Sequence, residues 1–326
     1  MKRQEFQYKK RGKKSSKNEV LEKIARLRFV FYTSFFILLF SLFQSVRFFF
    51  LRVVFPPKNF QSNIEIISRK DWGANEELIF SETPPAVTPR VGGIYDEFPK
   101  DLKIREVITQ IDGKYLKSAK EFVEKPKRIV IHHTANSESL ENLEYIKKYL
   151  QKLLEAHTNQ ENETLFTGDI PYHYLIDKFG NIYEGIVGGD KVVGAHVEGA
   201  NTGAIGVAII GNYNMDELSE STLKSLKYLV RELADKYSID PRKEQKFLGQ
   251  KVNAIGIHKD YNNTECPGKN IEKKVDEIRS FASQTFVEKE NREKNLIFYA
   301  TIFVISFAVV LYSREVIITL KNSKRV

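Results

Sequence analysis

The chain has 326 residues, 42% of them hydrophobic, enough for one large domain or two ordinary ones around a packed core. Its net charge of +9 argues against a nucleic-acid-binding domain, because residues 1–28 carry +8 and residues 313–326 carry +3, leaving the body at −2, whereas a nucleic-acid footprint is basic over a folded face. The single cysteine excludes an intrachain disulfide, so an extracytoplasmic fold would rest on its core alone.

Residues 1–28 read as a solvated basic tail. Residues 29–50 open with F-V-F-Y-T-S-F-F-I-L-L-F-S-L-F-Q-S-V, apolar on every helical face, which predicts a transmembrane helix. No small-residue cleavage site stands before Pro56 and Pro57, so the segment reads as an uncleaved anchor. Residues 296–312 form a second uncharged run, followed by the basic tail 313–326. Basic residues lie on the terminal side of both segments. This predicts a two-pass protein of the cytoplasmic membrane with both termini cytoplasmic and the intervening domain outside. The two segments can pair with each other or mediate self-association.

Between them, 56–64 reads as a connector and 65–285 as one domain. Trp72, the only tryptophan, is expected to anchor packing. Residues 76–125, with Pro84, Pro85, Pro89 and Gly92-Gly93, read as a long loop or small insertion with a weak helix around Leu116 to Val123. The β-branched run Arg128 to His132 predicts a buried strand. Leu140 to Ala156 has helical spacing. Tyr172 to Asp177 and Ile182 to Gly185 predict two strands joined by a turn at Gly180-Asn181. Ile205 to Ile210 is another buried strand. Ser219 caps an amphipathic helix reaching Tyr237. Val252 to Ile257 is a short strand or extended loop, and Asn270 to Ala282 a closing helix. The charged stretch Glu288 to Asn295 then joins it to the second membrane segment. The fold class is α/β, a single central mixed β-sheet flanked by helices, plus two transmembrane helices.

Two stretches carry chemistry. I-V-I-H-H-T-A ends an apolar strand in His132 and His133. G-I-H-K-D-Y-N-N-T-E-C-P-G places Cys266 eight residues after His258. Two histidines and a cysteine, with one coordination position left open, make a hydrolytic zinc site. The same residues are also compatible with ordinary core histidines and an inert buried thiol. Neighbouring side chains on a strand face opposite ways, so only one of His132 and His133 faces a metal. His173 reads as structural, His157 as a helix-end residue without a site role, and Tyr174 and Tyr183 as core.

Five pieces resemble the peptidoglycan recognition protein and type-2 N-acetylmuramoyl-L-alanine amidase family. They are I-S-R-K-D-W-G-A (Ile67–Ala74), I-V-I-H-H-T-A, D-I-P-Y-H-Y-L-I-D with G-N-I-Y-E-G, G-A-H-V-E-G-A-N-T-G-A-I-G-V (Gly194–Val207), and H-K-D-Y-N-N-T-E-C-P-G. Their order and spacing match the family from about Ile66 to Ala282. The resemblance implies a zinc ion held by His132, His258 and Cys266, with Tyr172 as the active-site tyrosine. Thr264 falls at a position held by Thr or Lys in active members. His196 and Asn201 match positions lining the muropeptide groove, and His133 is set either with them or packed behind the ligands. Members that only recognise peptidoglycan usually lack the cysteine, so Cys266 favours catalysis. The implied function is a membrane-anchored amidase that cuts between N-acetylmuramic acid and L-alanine by zinc-activated water. The alternative is a non-catalytic peptidoglycan-binding sensor or wall anchor. Peptidoglycan and the membrane are the implied partners, and nucleic acid is not.

Overall fold

A computed structural model of the protein describes residues 64–85, 104–138, 140–162, 164–247 and 250–323, with single helical positions between 37 and 45. The basic tail 1–28, most of the apolar segment 29–50 and nearly all of the connector 56–64 lie outside the described residues. The strands in chain order are β1 (Ile66–Ile67), β2 (Phe80–Ser81), β3 (Ile104–Ile111), β4 (Lys114–Val123), β5 (Arg128–His133), β6 (Tyr174–Ile176), β7 (Ile182–Glu184), β8 (Ala204–Ile209), β9 (Glu244–Phe247), β10 (Gln250–Asn253) and β11 (Ile255–Ile257). The helices are α1 (Arg69–Trp72), α2 (Leu143–Thr158), α3 (Glu220–Tyr237), α4 (Lys269–Glu272) and α5 (Val275–Ser323).

Residues Gln61–Glu288 form one compact unit. Its centre is a six-stranded sheet in the order β1-β7-β6-β8-β5-β11. All neighbours are parallel except the β6–β7 hairpin, so the sheet is mixed as expected. Strands β5 and β8 are buried along their whole length, which is why both are nearly unbroken apolar runs. Odd positions Ile129, Ile131, Ile205, Val207 and Ile209 pack against Leu226, Leu229 and Leu233 of α3 and Ile278 of α5. On the other face, Leu175 and Ala208 meet Ile146, Leu150 and Leu154 of α2, together with the buried Trp72. Both long core helices start on side-chain caps: Asn142 accepts from the Glu144 and Tyr145 N–H groups, and Ser219 accepts from Thr222.

Two expectations are corrected. Part of the segment 76–125 is a three-stranded sheet, β2-β4-β3, and the stretch read as a helix around Leu116 to Val123 is strand β4. The turn between β3 and β4 is Asp112-Gly113, both at positive φ (50° and 77°), the backbone that a two-residue hairpin demands. Burial along β4 does not alternate strictly, because the pairing with β3 shifts register. Leu116 drops into the core beside Trp72 and Ile79, so the insertion packs as part of the domain. The second correction concerns the C-terminus. The closing helix, the charged joiner Glu288 to Asn295 and the apolar run 296–312 are one uninterrupted helix, α5, preceded by the short α4. No Gly or Pro occurs between Val275 and Ser323, and the Glu, Lys, Arg and Asn residues of the joiner do not break a helix as those would. Over Val275–Arg314 this helix is long and apolar enough to cross a membrane, with Phe298, Ile302, Ile305 and Val309 exposed.

Candidate metal centre

Sheet topology brings the two chemical stretches together. Strands β5 and β11 are adjacent and parallel, with Ile131 opposite Ile257, so His132 and His258 leave the sheet at the same end. After β11 the chain makes a tight turn over His258–Asp260 and comes back. The Lys259 N–H donates to the Cys266 carbonyl (3.1 Å), and the His133 N–H donates to the Cys266 Sγ (3.4 Å). Gly268 closes this return at φ 90°, where a Cβ would stand 2.5 Å from the Tyr213 carbonyl carbon. Only glycine permits that approach.

The sheet also separates the two adjacent histidines. The His132 ring sits among His258, His196 and Tyr172, with ring centroids 4.8, 4.9 and 5.3 Å away. The His133 ring takes the opposite side, where its Nδ1 accepts from the Tyr213 N–H (3.2 Å). One ligand atom each from His132, His258 and Cys266 lies within 4.8 Å of the others. The His132 Nδ1 is 3.6 Å from the Cys266 Sγ. Zinc held tetrahedrally at its usual bond lengths sets its ligand atoms roughly 3.3–3.8 Å apart, so the donors fit zinc in kind and nearly in spacing. Burial holds the imidazoles of His132 and His258 below their usual pKa and therefore neutral, as ligation requires. Burial also pushes the Cys266 thiol up to about 12; a coordinating cation would favour its thiolate.

The imidazole tautomers follow from the hydrogen bonds. The His196 Nε2 faces the Ala204 carbonyl (3.4 Å), which can only accept. Burial keeps His196 neutral, so its proton is on Nε2 and its Nδ1 is bare. That Nδ1 lies 2.9 Å from the His132 Nε2, which must therefore donate. The His132 Nδ1 is left as a lone pair facing Cys266. Asn201, which matches a groove position by resemblance, is 3% exposed, and its Oδ1 accepts from the N–H groups of His196 and Val197 (2.7 and 2.8 Å). His196, matched likewise, is 6% exposed, and its ring nitrogens are engaged by His132 and Ala204. A Cβ on Gly206 would come within 2.6 Å of the His196 ring, so glycine there makes room for the imidazole. His173 locks the same strand: its Nδ1 accepts from the Gly206 N–H (2.9 Å), and its Nε2 donates to the Val192 carbonyl (2.8 Å).

Tyr172 borders the cluster. Burial raises its hydroxyl pKa above the ordinary tyrosine range, so it stays protonated and can donate. Asp169, three residues earlier, is fully buried. The Asp169 carboxylate takes the Arg69 guanidinium (3.1 Å), the Val187 N–H (2.9 Å) and the Lys120 ammonium of β4 (3.6 Å). Thus the I-S-R-K-D-W and D-I-P-Y motifs meet in one buried ion cluster, to which the β3–β4 hairpin adds a lysine. Thr264 is half-buried, and its Oγ1 accepts from the Cys266 N–H (3.2 Å). Asn262 was not singled out from the sequence. Its position four residues after a candidate ligand, inside a tight turn, was the available signal; its Oδ1 is 3.1 Å from the His258 Nε2.

Comparison with known proteins agrees with the motifs. Residues 123–269 match the family model described as N-acetylmuramoyl-L-alanine amidase. The chain is 32% identical over 156 residues to peptidoglycan-recognition protein SC2 of Drosophila melanogaster, covering 47% of this chain and 73% of the relative. It is 45% identical over 69 residues to a peptidoglycan recognition protein of Bombyx mori, 21% of this chain and 34% of that one. Among solved structures, the N-acetylmuramoyl-L-alanine amidase LysC from Clostridium intestinale is similar at 31% identity and a TM-score of 0.36, over 48% of this chain and 84% of its own. Motif order, matched length and identity agree, and the chain belongs to the peptidoglycan recognition protein and type-2 amidase family.

Proposed function

We propose that the protein is a zinc-dependent N-acetylmuramoyl-L-alanine amidase that hydrolyses the bond between N-acetylmuramic acid and L-alanine in peptidoglycan. The observation that carries this reading is the set His132, His258 and Cys266, whose ligand atoms converge within 4.8 Å beside Tyr172. Zinc, when bound, supplies a Lewis acid that activates water toward an amide at neutral pH. The residues of the chain supply the rest. His132 and His258 offer neutral nitrogen donors, and Cys266 adds the third. The protonated Tyr172 hydroxyl donates a hydrogen bond to the oxygen on which negative charge develops. Thr264 receives the Cys266 N–H on its oxygen, which leaves its own hydroxyl proton for a substrate oxygen. His196 and Asn201, assigned to the groove by resemblance, act in this reading through His132, while His133 packs behind it.

The names of the relatives support a second reading, in which the same groove binds peptidoglycan without turnover. The two are separated by incubating the full chain with purified cell wall and assaying for newly freed peptides that begin with L-alanine. The amidase reading requires release that stops on chelation and in Cys266→Ser. Zinc-loaded protein that releases no peptide from several wall types, yet still binds them, leaves only the binding reading.

The membrane reading rests on α5, whose exposed apolar side chains suit lipid. In it, segment 29–50 adds a second pass and both basic tails face the cytoplasm. Reporter fusions at each terminus test this; activity of a periplasm-type reporter at either end would reject it.

A further inference from the structure

The cluster around His132 has a counterpart at His258, built from a residue that resemblance does not assign. Asn262 follows His258 by four positions, and its backbone N–H returns to the His258 carbonyl (3.2 Å). Its side chain is bound at both ends. The Nδ2 donates to the Glu198 carbonyl (3.2 Å), and the Oδ1 faces the His258 Nε2 at 3.1 Å. A carbonyl can only accept, so Glu198 fixes which way the amide points. The oxygen then faces His258, and the His258 Nε2 must carry the proton. Glu198 lies in the segment that also supplies His196 and Asn201, and His196 sets the tautomer of His132.

From this geometry we infer that Asn262 is a positioning residue: tethered to the Glu198 carbonyl, it holds His258 in the Nε2–H tautomer and turns its Nδ1 toward Cys266 and His132. The inference rests on the metal-site reading for its purpose but not for its geometry. One loop, residues 196–201, thereby sets the proton position on both imidazoles. A polar partner on the non-ligating nitrogen is worth about 10–100-fold in metal affinity.

The test uses the full chain in detergent with histidine-selective 15N labelling, the His258 signals being assigned by their loss in His258→Gln. In metal-free protein at pH 7.5, His258 should show a protonated Nε2 and a bare Nδ1. Asn262→Leu, which removes both hydrogen bonds at similar size, should give a mixture of tautomers. Asn262→Asp, which keeps an acceptor oxygen, should restore the single one. A thermal midpoint close to wild type would separate this role from simple support of the fold. Zinc affinity, read by competition with a chromophoric chelator, should fall about 10–100-fold in Asn262→Leu and stay within about threefold in Asn262→Asp. An unchanged His258 tautomer in Asn262→Leu overturns the inference, as does unchanged zinc affinity. Wild-type protein that takes up no zinc refutes the metal site instead, while the tautomer measurement still decides the role of Asn262.

Discussion

The His132 Nε2 donates to the His196 Nδ1 across 2.9 Å, and the proton order along this pair ends at the Ala204 carbonyl. The pair therefore presents a lone pair at the His132 Nδ1 before any metal arrives. Replacing His196 by Phe keeps a ring and removes the acceptor. Zinc affinity should fall about 10–100-fold, measured by chelator competition on the full chain. A change smaller than threefold would show that His132 is held by packing alone.

Gly206 tests the same pair from behind. A methyl group there would meet the His196 ring at 2.6 Å, too close for any rotation to relieve without moving the ring. Gly206→Ala should cost about 1–3 kcal/mol in unfolding free energy and weaken zinc binding together with it. A variant that is destabilised yet binds zinc normally would uncouple the strand from the site.

Zinc uptake should release at least one proton at pH 7.5. Burial keeps His132 and His258 neutral there, so neither has a proton to lose, while the Cys266 thiol, raised to about 12, must lose its own. Affinity should then rise at least about tenfold per pH unit between pH 7 and 9. Calorimetry in buffers of different ionisation enthalpy reads the proton count directly. Zero protons would mean that Cys266 is already a thiolate or is not a ligand.

Acid should destabilise the metal-free protein early. His132, His173 and His196 are buried, and the loss of hydration holds their pKa values below the usual imidazole value. Between their folded values and about 6.5 the unfolded chain binds more protons than the folded one, so stability rises with pH in that window and is lost as pH falls through it. Above about 6.5 the three histidines should have no effect. Each contributes up to about 1.4 kcal/mol per pH unit, and thermal midpoints from pH 7.5 to 5 check the slope. A flat profile would mean that these rings are hydrated in solution.

The β3–β4 hairpin should unfold with the core. Leu116 is fully buried against Trp72 and Ile79, so Leu116→Ala should cost about 2–5 kcal/mol. A loss below 1 kcal/mol, read from denaturant melts, would make the hairpin an independent appendage.

Most of the sheet was legible because its strands are buried on both faces and therefore written as apolar runs; β5 and β8 needed no partner information. The helices were legible from 3.6-residue spacing and from Ser219. The hairpin was not, although Asp112-Gly113 announced its turn. Lys120 and Glu121 are buried charged residues on β4, and charged residues in succession do not read as a strand interior. The joiner in α5 misleads for the opposite reason: its run of charges looks like a boundary, while nothing in it breaks a helix. The site was legible in its donors, and the choice of His132 over His133 came from resemblance. The hydrogen bonds of Asn262, His196 and Asn201 stayed hidden, because such partners stand across the fold from each other.

Strand β11 has three residues and a single neighbour, yet it delivers the second donor, His258, and leads into the loop that holds the third, Cys266. During synthesis the chain would expose His132, Tyr172 and His196 long before His258 and Cys266 emerge. A copy that ends before His258 lacks two of the three donors. Under the hydrolase reading, cutting activity is expected only once β11 has paired with β5 and the loop after it has returned to His133.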